Sequence, residues 1–535
     1  MFARLQPAFW LPTTALGLGL GYTLITLTRL PWWTLFGVAV LAGLLGARLT
    51  KSAPADGYRR IWPWSLVPLC LWGLYVYLAD SFGNVDLGAV FFHLQAGITD
   101  HGGSERIVAA GLYTLSMLGL LCAFTWLVRR HPHLRRIEPL VAVALLVSNP
   151  LLFGLGQRSA AVVTDDDGWL DQHYQKPVIQ AQDNPPNLLI LYLESLERTY
   201  GEPAFGDTYD DLRVLGEKGV VFEGIEQINN TGWTMAGMIG SQCGTPLMPA
   251  GLVHDRQFEP LAEVVPGVEC LGDLLDEQGY RLSFLGGASK AFAGKGRFYE
   301  GHGFDNVLGL SELQPRLDTT DYVNDWGLYD DTLYDLTAAE IKRLKDRGDG
   351  PWGVVNISLS AHAPTGFPAR SCRKRQGEWD GEDILYSVKC SAWLARTLVE
   401  RLAHDGLLDN TLVVLASDHL SMRVSVWDEL VGLPRENTLI LLGNGLTPRH
   451  ISRRASIVDL FPTILDAMGY PPKYHQAGLG VSLLQPDTHT LLERYGKEKI
   501  NARLLEDNAL QHRLWEGLAP QRREDQAPLH DTPQH

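Results

Sequence analysis

The chain has 535 residues, 45% of them hydrophobic, with 61 acidic residues against 46 Lys and Arg and a formal net charge of −15. No basic block exists to neutralise phosphates, so nucleic acid is excluded as a partner. The length calls for several domains, and the first part of the chain is strongly apolar while the remainder reads as a polar, globular segment.

Five apolar stretches occupy residues 9–27, 32–47, 61–79, 107–128 and 137–156. A bilayer-spanning helix needs roughly 17–25 such residues; the second stretch is slightly short and the others fit. Five in series, with no small-residue cleavage site after the first, predict a transmembrane domain over residues 1–157 rather than a signal peptide. Arg48, Lys51, Arg59 and Arg60 lie between the second and third stretches, and Arg129, Arg130, Arg135 and Arg136 between the fourth and fifth. Short basic loops stay cytoplasmic, which puts the amino terminus inside and everything after the fifth stretch outside. Trp10, Trp32, Trp33, Trp62 and Trp64 sit near stretch ends, as interfacial aromatics do.

Residues 158–186 are polar, acidic and Pro-bearing, a linker. Beyond them the short apolar runs "NLLILYLES", "GVVFEGI", "RLSFLGG", "GVVNISLS", "TLVVLASD" and "NTLILLGNG" read as strands. Helical patterns such as "CLGDLLDEQG", "YDDTLYDLTAAEIKRLKDRG" and "ILYSVKCSAWLARTLVERLAHDG" lie between them. This alternation predicts an α/β domain with a mainly parallel central sheet over residues 187–490. Residues 491–535 are charged, with one helix expected over 497–515 and then a disordered tail. Cys70 and Cys122 fall in apolar stretches as packing residues. Cys243, Cys270, Cys372 and Cys390 lie in the outer domain, where an oxidising compartment favours two disulfides. Pairing by proximity gives Cys243–Cys270 and Cys372–Cys390, although sequence leaves the connectivity open.

Ligands of such sheets bind beyond the carboxyl ends of the strands. "LILYLES" delivers Glu194 there, "VVLASDHL" delivers Asp418 and His419, and "VNISLSAHAP" delivers His362. Any one of them could simply cap a helix. The stretch "INNTGWTMAGMIGSQCG" adds Thr231, Thr234 and Ser241 where a strand hands over to a helix. Carboxylates and an imidazole suit Mn²⁺, Mg²⁺ or Zn²⁺. A divalent cation can lower the pKa of a hydroxyl and aim it at phosphorus.

"LYLES", "NNTGWTMAGMIGSQCG", "SAHAP" and "SDHL", in this order, resemble the alkaline-phosphatase/sulfatase superfamily, and "RRASIVDLFPTILDAMGY" looks like its late Asp-x-x-Pro-Thr-x-Leu segment. The closest likeness is to the membrane-bound phosphoglycerol and phosphoethanolamine transferase branch, which includes the lipoteichoic acid synthases. "NNTGWT", "FAGKGRFYEGHGFD" and "SAHAPTGFPARSC" look most like the phosphoglycerol transferases that decorate osmoregulated periplasmic glucans. The resemblance implies a multi-pass protein of a bacterial inner membrane, with its catalytic domain in the periplasm.

What else it implies can be stated residue by residue. Glu194, Asp418, His419 and Thr234 would ligate one divalent metal, Mn²⁺ first, with Zn²⁺ or Mg²⁺ suited to the same donors. The nucleophile is Thr234 or Thr231; the small-residue helix that follows favours Thr234, leaving Thr231 and Asn230 to shape the turn. His362 would protonate a leaving or entering hydroxyl. Asn230, Lys295, Arg297 and His362 would meet the substrate, with Ala293 and Lys295 standing where lipoteichoic acid synthases carry Trp and Arg. Lys offers a point charge in place of a bidentate fork. His302 reads as a weaker candidate or a packed loop histidine. The donor would be phosphatidylglycerol from the lipid bilayer, the acceptor a periplasmic glucan, and the intermediate a glycerophospho-threonine. A phosphoethanolamine transferase would keep the same metal set. A sulfatase would need Cys or Ser where "GWTMAGM" offers Thr, and an inactive membrane-anchored scaffold would not need intact Glu194, Thr234, Asp418 and His419.

Overall fold

Strand β1 (Asn187–Leu193) explains the architecture in miniature. Leu188, Ile190 and Tyr192 enter one hydrophobic core and Leu189, Leu191 and Leu193 the other. An apolar run with no polar face must be covered on both sides, and that is the habit of a parallel strand in the middle of an α/β sheet. The computed structural model describes residues 70–79, 113, 149, 168–249, 263–373 and 384–517. The five apolar stretches fall outside these residues, except for a helix over 70–79 and isolated positions, and so do residues 518–535. No helix among the described residues is long and apolar enough to cross a membrane. The chain divides into two units, Met1–Leu87 with His101–Thr164 and Gly88–Asp100 with Asp165–His535; the second carries the sheet.

Further strands are β2 (Val220–Glu226), β3 (Arg281–Gly286), β4 (Asn306–Leu308), the short pair β5 (Val323–Asn324) and β6 (Gly327–Leu328), β7 (Trp352–Ile357), β8 (Thr411–Ser417), β9 (Leu439–Gly443) and β10 (Arg449–Ser456). Among the described residues they form an eight-stranded sheet in the order β10-β2-β9-β8-β1-β7-β3-β4, with β5 and β6 as a separate hairpin. Every pairing in the sheet is parallel except those made by β9. The helices that matter to the site and its packing are labelled α1 (Asp210–Gly216), α2 (Thr234–Cys243), α3 (Leu271–Glu277), α4 (Lys295–Gly301), α5 (Asp330–Arg347), α6 (Ile384–His404), α7 (Leu460–Ala467), α8 (Leu491–Tyr495), α9 (Lys497–Glu506) and α10 (Asn508–Trp515). Side chains of α2, α3 and α7 share the core of Leu188, Ile190 and Tyr192, whereas those of α1, α5 and α6 share the core of Leu189, Leu191 and Leu193.

All six apolar runs read from the sequence are strands. The sheet's edges, β4 and β10, escape that reading. The first is three residues long, and the second, "RHISRRAS", is arginine-rich and largely exposed. A charged edge strand discourages further strand pairing, so its sequence cannot look like a buried strand.

The segment 497–515 makes two helices rather than one. Asp507 breaks them: its Oδ1 accepts from the amide of Leu510 (2.8 Å) at the start of α10, and its Oδ2 from the amide of buried Leu170 (2.5 Å). An Asx side chain that satisfies a first-turn amide makes a good helix start. Arg513 makes a bidentate pair with Asp171 (2.5 and 2.9 Å). Residues 168–174 are thereby fastened to the carboxyl-terminal helices, and Leu504, Leu510, Leu514 and Trp515 belong to the main core. Disulfides join Cys243 to Cys270 and Cys372 to Cys390, and Cys70 is a free thiol.

Candidate active site and metal centre

Parallel register brings the site together. Leu193 pairs with Ser417 across β1 and β8, and Tyr192 with Ile357 across β1 and β7. Glu194, Asp418 and Ser358 therefore leave adjacent strands side by side at the carboxyl edge. Ser358 Oγ accepts from the backbone amide of Glu194 (2.9 Å), which ties the two strand ends together. Ser195 takes a left-handed conformation (φ 54°) that turns the chain sharply. Its amide donates to Asp418 Oδ1 (2.9 Å) and its hydroxyl to Glu194 Oε1 (2.8 Å).

Glu194, Asp418 and His419 are all buried, and their ligand atoms lie within 4.8 Å of one another. His419 Nδ1–H donates to the carbonyl of Leu420 (2.7 Å), which turns Nε2 toward the acids. Nε2 stands 3.3 Å from Glu194 Oε1 and 3.3 Å from Asp418 Oδ2. Neither approach has the alignment of a hydrogen bond, so His419 Nε2 and Asp418 Oδ2 remain buried polar atoms without a hydrogen-bond partner. Such atoms are costly unless something else satisfies them. Two carboxylates and one imidazole with orphaned donor atoms fit a divalent cation.

The electrostatics agree with that fit. Burial pushes the Glu194 carboxyl up, but the imidazoles of His419 and His362 and the hydroxyl of Ser195 outweigh it and hold it at about 2. For Asp418, burial and the charge of Glu194 prevail and push it up to about 7. Burial opposes charge on His419, yet Asp418 and Glu194 raise it to about 9. The two acids thus stabilise positive charge between them, where a cation would sit.

Helix α2 supplies the hydroxyl. Thr234 is its first residue, half-buried, and donates from Oγ1 to Glu194 Oε2 at 3.3 Å. No side chain caps this helix, so its first amides are open to an anion. Thr231 is buried and its hydroxyl donates to the carbonyl of Ile228 (2.8 Å). Asn230 is left-handed (φ 62°) and its carbonyl accepts from the amide of Leu247 (3.0 Å); both residues build the turn. The small residues of α2 have a steric reason: a Cβ on Gly237 would stand 1.7 Å from the carbonyl oxygen of Asp418. Ser241 bonds within the helix and to Tyr192.

His362 is buried, holds its Nδ1 against the carbonyl of Ala363 (2.7 Å), and its charge bears on Glu194. Lys295 opens α4, buried, with Arg297 half-buried two residues on. His302 belongs to a different cluster, with Asp273 and Cys270, at the start of α3. Sequence reasoning passed over four contributors. Ser195 stands inside the motif "LYLES" and was legible there. Ser358, Trp326 and Asp330 reach the site only through the fold. Asp330 is fully buried and accepts from the amides of Leu359 (2.7 Å) and Ser360 (3.2 Å), so it anchors the loop that carries His362. The indole of Trp326 lies against the His362 ring, 3.9 Å between centroids.

Fold and site together define the class: an alkaline-phosphatase/sulfatase-like α/β domain, with a cation-ready cluster and a helix-start hydroxyl at the carboxyl edge of its sheet. The chain belongs to the sulfatase family, which it matches over residues 186–470. The phosphoglycerol transferase I of Citrobacter koseri is 30% identical over 462 residues, covering 83% of this chain and 60% of the relative. That of Shigella flexneri is 30% identical over 458 residues, covering 82% and 59%. The chain therefore spans about three fifths of the length of these curated relatives. A solved structure of a protein in the alkaline phosphatase superfamily from Vibrio parahaemolyticus is 22% identical with a TM-score of 0.48, covering 63% of this chain and 78% of that one.

Proposed function

We propose that this protein is a phosphoglycerol transferase that moves phosphoglycerol from phosphatidylglycerol to a hydroxyl of a periplasmic glucan through a covalent threonine intermediate. The observation that carries the reading is the Thr234 hydroxyl, 3.3 Å from Glu194 at the open start of α2, beside the orphaned atoms of Asp418 and His419. The names of the curated relatives support the transferred group. The apolar stretches and their basic loops support an inner-membrane protein with this domain in the periplasm, where a lipid donor and an aqueous acceptor can both reach it.

In the first step Thr234 Oγ attacks phosphorus, directing its proton toward Glu194. The bond from phosphorus to the diacylglycerol oxygen breaks, and His362 protonates that oxygen as it leaves. The first amides of α2 favour the phosphoryl oxygens. In the second step His362 takes the proton of the acceptor hydroxyl, whose oxygen attacks the same phosphorus; the bond from phosphorus to Thr234 Oγ breaks, and that oxygen recovers the proton it gave up toward Glu194. Double displacement frees the site from holding donor and acceptor together. Glu194, Asp418, His419 and Thr234 would hold the divalent ion, Mn²⁺ by preference, whose charge lowers the threonine pKa and offsets charge on the phosphoryl group.

The test uses the full-length enzyme and phosphatidylglycerol labelled in its glycerol head group. Thr234→Ala should lower transfer by on the order of 10³-fold or more while expression and membrane insertion persist. Mass spectrometry of the trapped enzyme should place the label on Thr234. Undiminished transfer, or a label on Thr231, overturns this assignment.

A further inference from the structure

The two residues that follow His419 are held by side chains. Leu420 and Ser421 are buried, so each of their backbone polar groups needs a partner. The Leu420 amide donates to Gln227 Oε1 (2.8 Å), and the Leu420 carbonyl accepts from His419 Nδ1 (2.7 Å). The Ser421 amide donates to Glu197 Oε2 (2.8 Å), and the Ser421 carbonyl accepts from Arg435 Nη2 (2.6 Å). The Tyr200 hydroxyl donates to Ser421 Oγ (3.1 Å). The start of the loop after β8 is thus gripped by residues that follow β1, follow β2 and precede β9.

Glu197 and Arg435 also grip each other. Arg435 Nε donates to Glu197 Oε1 (3.0 Å) and Arg435 Nη2 to Glu197 Oε2. The Glu197 side chain is wholly buried and that of Arg435 nearly so, with the guanidinium 4.8 Å from the Trp427 ring centroid. The segment around Arg435 is stitched to the loop after β1. The Arg198 amide donates to the Glu436 carbonyl (2.8 Å), the Glu436 amide to Thr199 Oγ1 (3.1 Å), and Thr438 Oγ1 to the Leu196 carbonyl (2.7 Å).

A buried ion pair is a poor device for stability alone, because desolvation offsets most of its attraction and apolar side chains of similar volume would serve as well. What it supplies is direction, since a guanidinium fork fixes a carboxylate in one plane. Here the fork fixes Glu197, three residues past Glu194, against Ser421, two residues past His419. The loops so joined deliver the Glu194 carboxylate and the His419 imidazole, which stand 3.3 Å apart. Two carboxylates converge there, and without a cation their repulsion works to spread the loops. We infer that Glu197 and Arg435 are positioning residues, acting through the Ser421 peptide to set the spacing of Glu194 and His419, so that the site is formed before a cation enters it. The inference rests on the reading of that cluster as the metal centre of the transferase.

The full-length enzyme in detergent is stripped of metal and titrated with Mn²⁺, the free ion being read from its EPR signal and His419→Ala giving the background. Glu197→Gln should weaken Mn²⁺ binding by about 10- to 100-fold, as loss of a ligand's supporting partners does, and saturating Mn²⁺ should restore most of the transfer activity. Arg435→Lys, a point charge in place of a fork, should fall between the wild type and that variant. Glu340→Gln is the control. It disturbs another buried acid, which pairs with Arg343 and accepts from Ser283 and Asn306 on β3 and β4, and it should lower stability with Mn²⁺ affinity unchanged. If Glu197→Gln does not fold, Glu197→Gln combined with Arg435→Met takes its place, because it leaves neither charge buried alone, and the same loss is expected. Mn²⁺ affinity within about twofold of the wild type in the folded variant, or an equal loss in Glu340→Gln, overturns the positioning role and leaves the metal centre standing. A wild type that binds no more Mn²⁺ than His419→Ala overturns both.

Discussion

Among the described residues, two clusters contain the residue types of a metal site, and one of them has the physics of one. Cys270, Asp273 and His302 converge as closely as Glu194, Asp418 and His419. In the first cluster every demand is met internally. Cys270 is bonded to Cys243, and Asp273 accepts from the Cys270 amide (2.8 Å). His302 places Nδ1 on Asp273 (2.7 Å) and Nε2 on the carbonyl of Val264 (3.0 Å). In the second, Asp418 Oδ2 and His419 Nε2 are buried with no hydrogen-bond partner. A cluster that has satisfied itself is a structural staple, whereas one that leaves buried donor atoms orphaned is waiting for a ligand.

The largest test sets the clusters against each other. His419→Ala should abolish transfer, by about 10³-fold or more, and elemental analysis should show the bound metal lost. His302→Ala should keep the metal and cost about 1–3 kcal/mol of stability in denaturant, the price of unmet buried partners. Metal lost from the His302 variant alone would reverse the comparison. Gly237→Ala sharpens it at the boundary between α2 and Asp418. The added methyl must displace one backbone or the other, so we expect about 1–3 kcal/mol of destabilisation and about 10²-fold less transfer from a misplaced Thr234. Normal activity in that variant would mean that the close approach of α2 does not position the hydroxyl.

The smallest effect concerns a third buried acid, Asp330, which has its hydrogen bonds but no cation. Burial outweighs the amide and hydroxyl donors and raises its carboxyl from 3.8 to about 6. A raised folded-state pKa stabilises the fold below the unfolded value, and that contribution is lost as pH rises from about 4 through 6. The loss is at most about 3 kcal/mol. Denaturant titrations should therefore show the wild type losing stability relative to Asp330→Asn between pH 4 and 7. A pH-independent difference would show that Asp330 does not titrate in this window.

Much of the site was legible in the sequence because chemistry at strand ends leaves a local signature. An apolar run followed by Glu, by Asp-His or by a loop with His marks a sheet edge, and Glu194, Asp418, His419 and His362 were all named on that basis. The pattern favoured Thr234 over Thr231 as the nucleophile but said nothing of what each hydroxyl touches. The structure divides them by partner, a carbonyl for Thr231 and Glu194 for Thr234. Trp326 left no signature at all, since it sits on a hairpin whose strands are two residues long and acts through a ring on another loop.

By itself the sequence determined the α/β alternation, the six central strands and the residues that leave them, because burial on both faces demands continuous apolar runs. Tertiary structure alone decided which of those residues meet and which polar atoms go unsatisfied. Parallel register joins Glu194 to Asp418, and the glycines of α2 admit Thr234 beside them. The fold also left Asp418 Oδ2 and His419 Nε2 orphaned and gave His302 partners for both ring nitrogens. Satisfaction depends on distance and direction between residues far apart in the chain, and no local pattern encodes either.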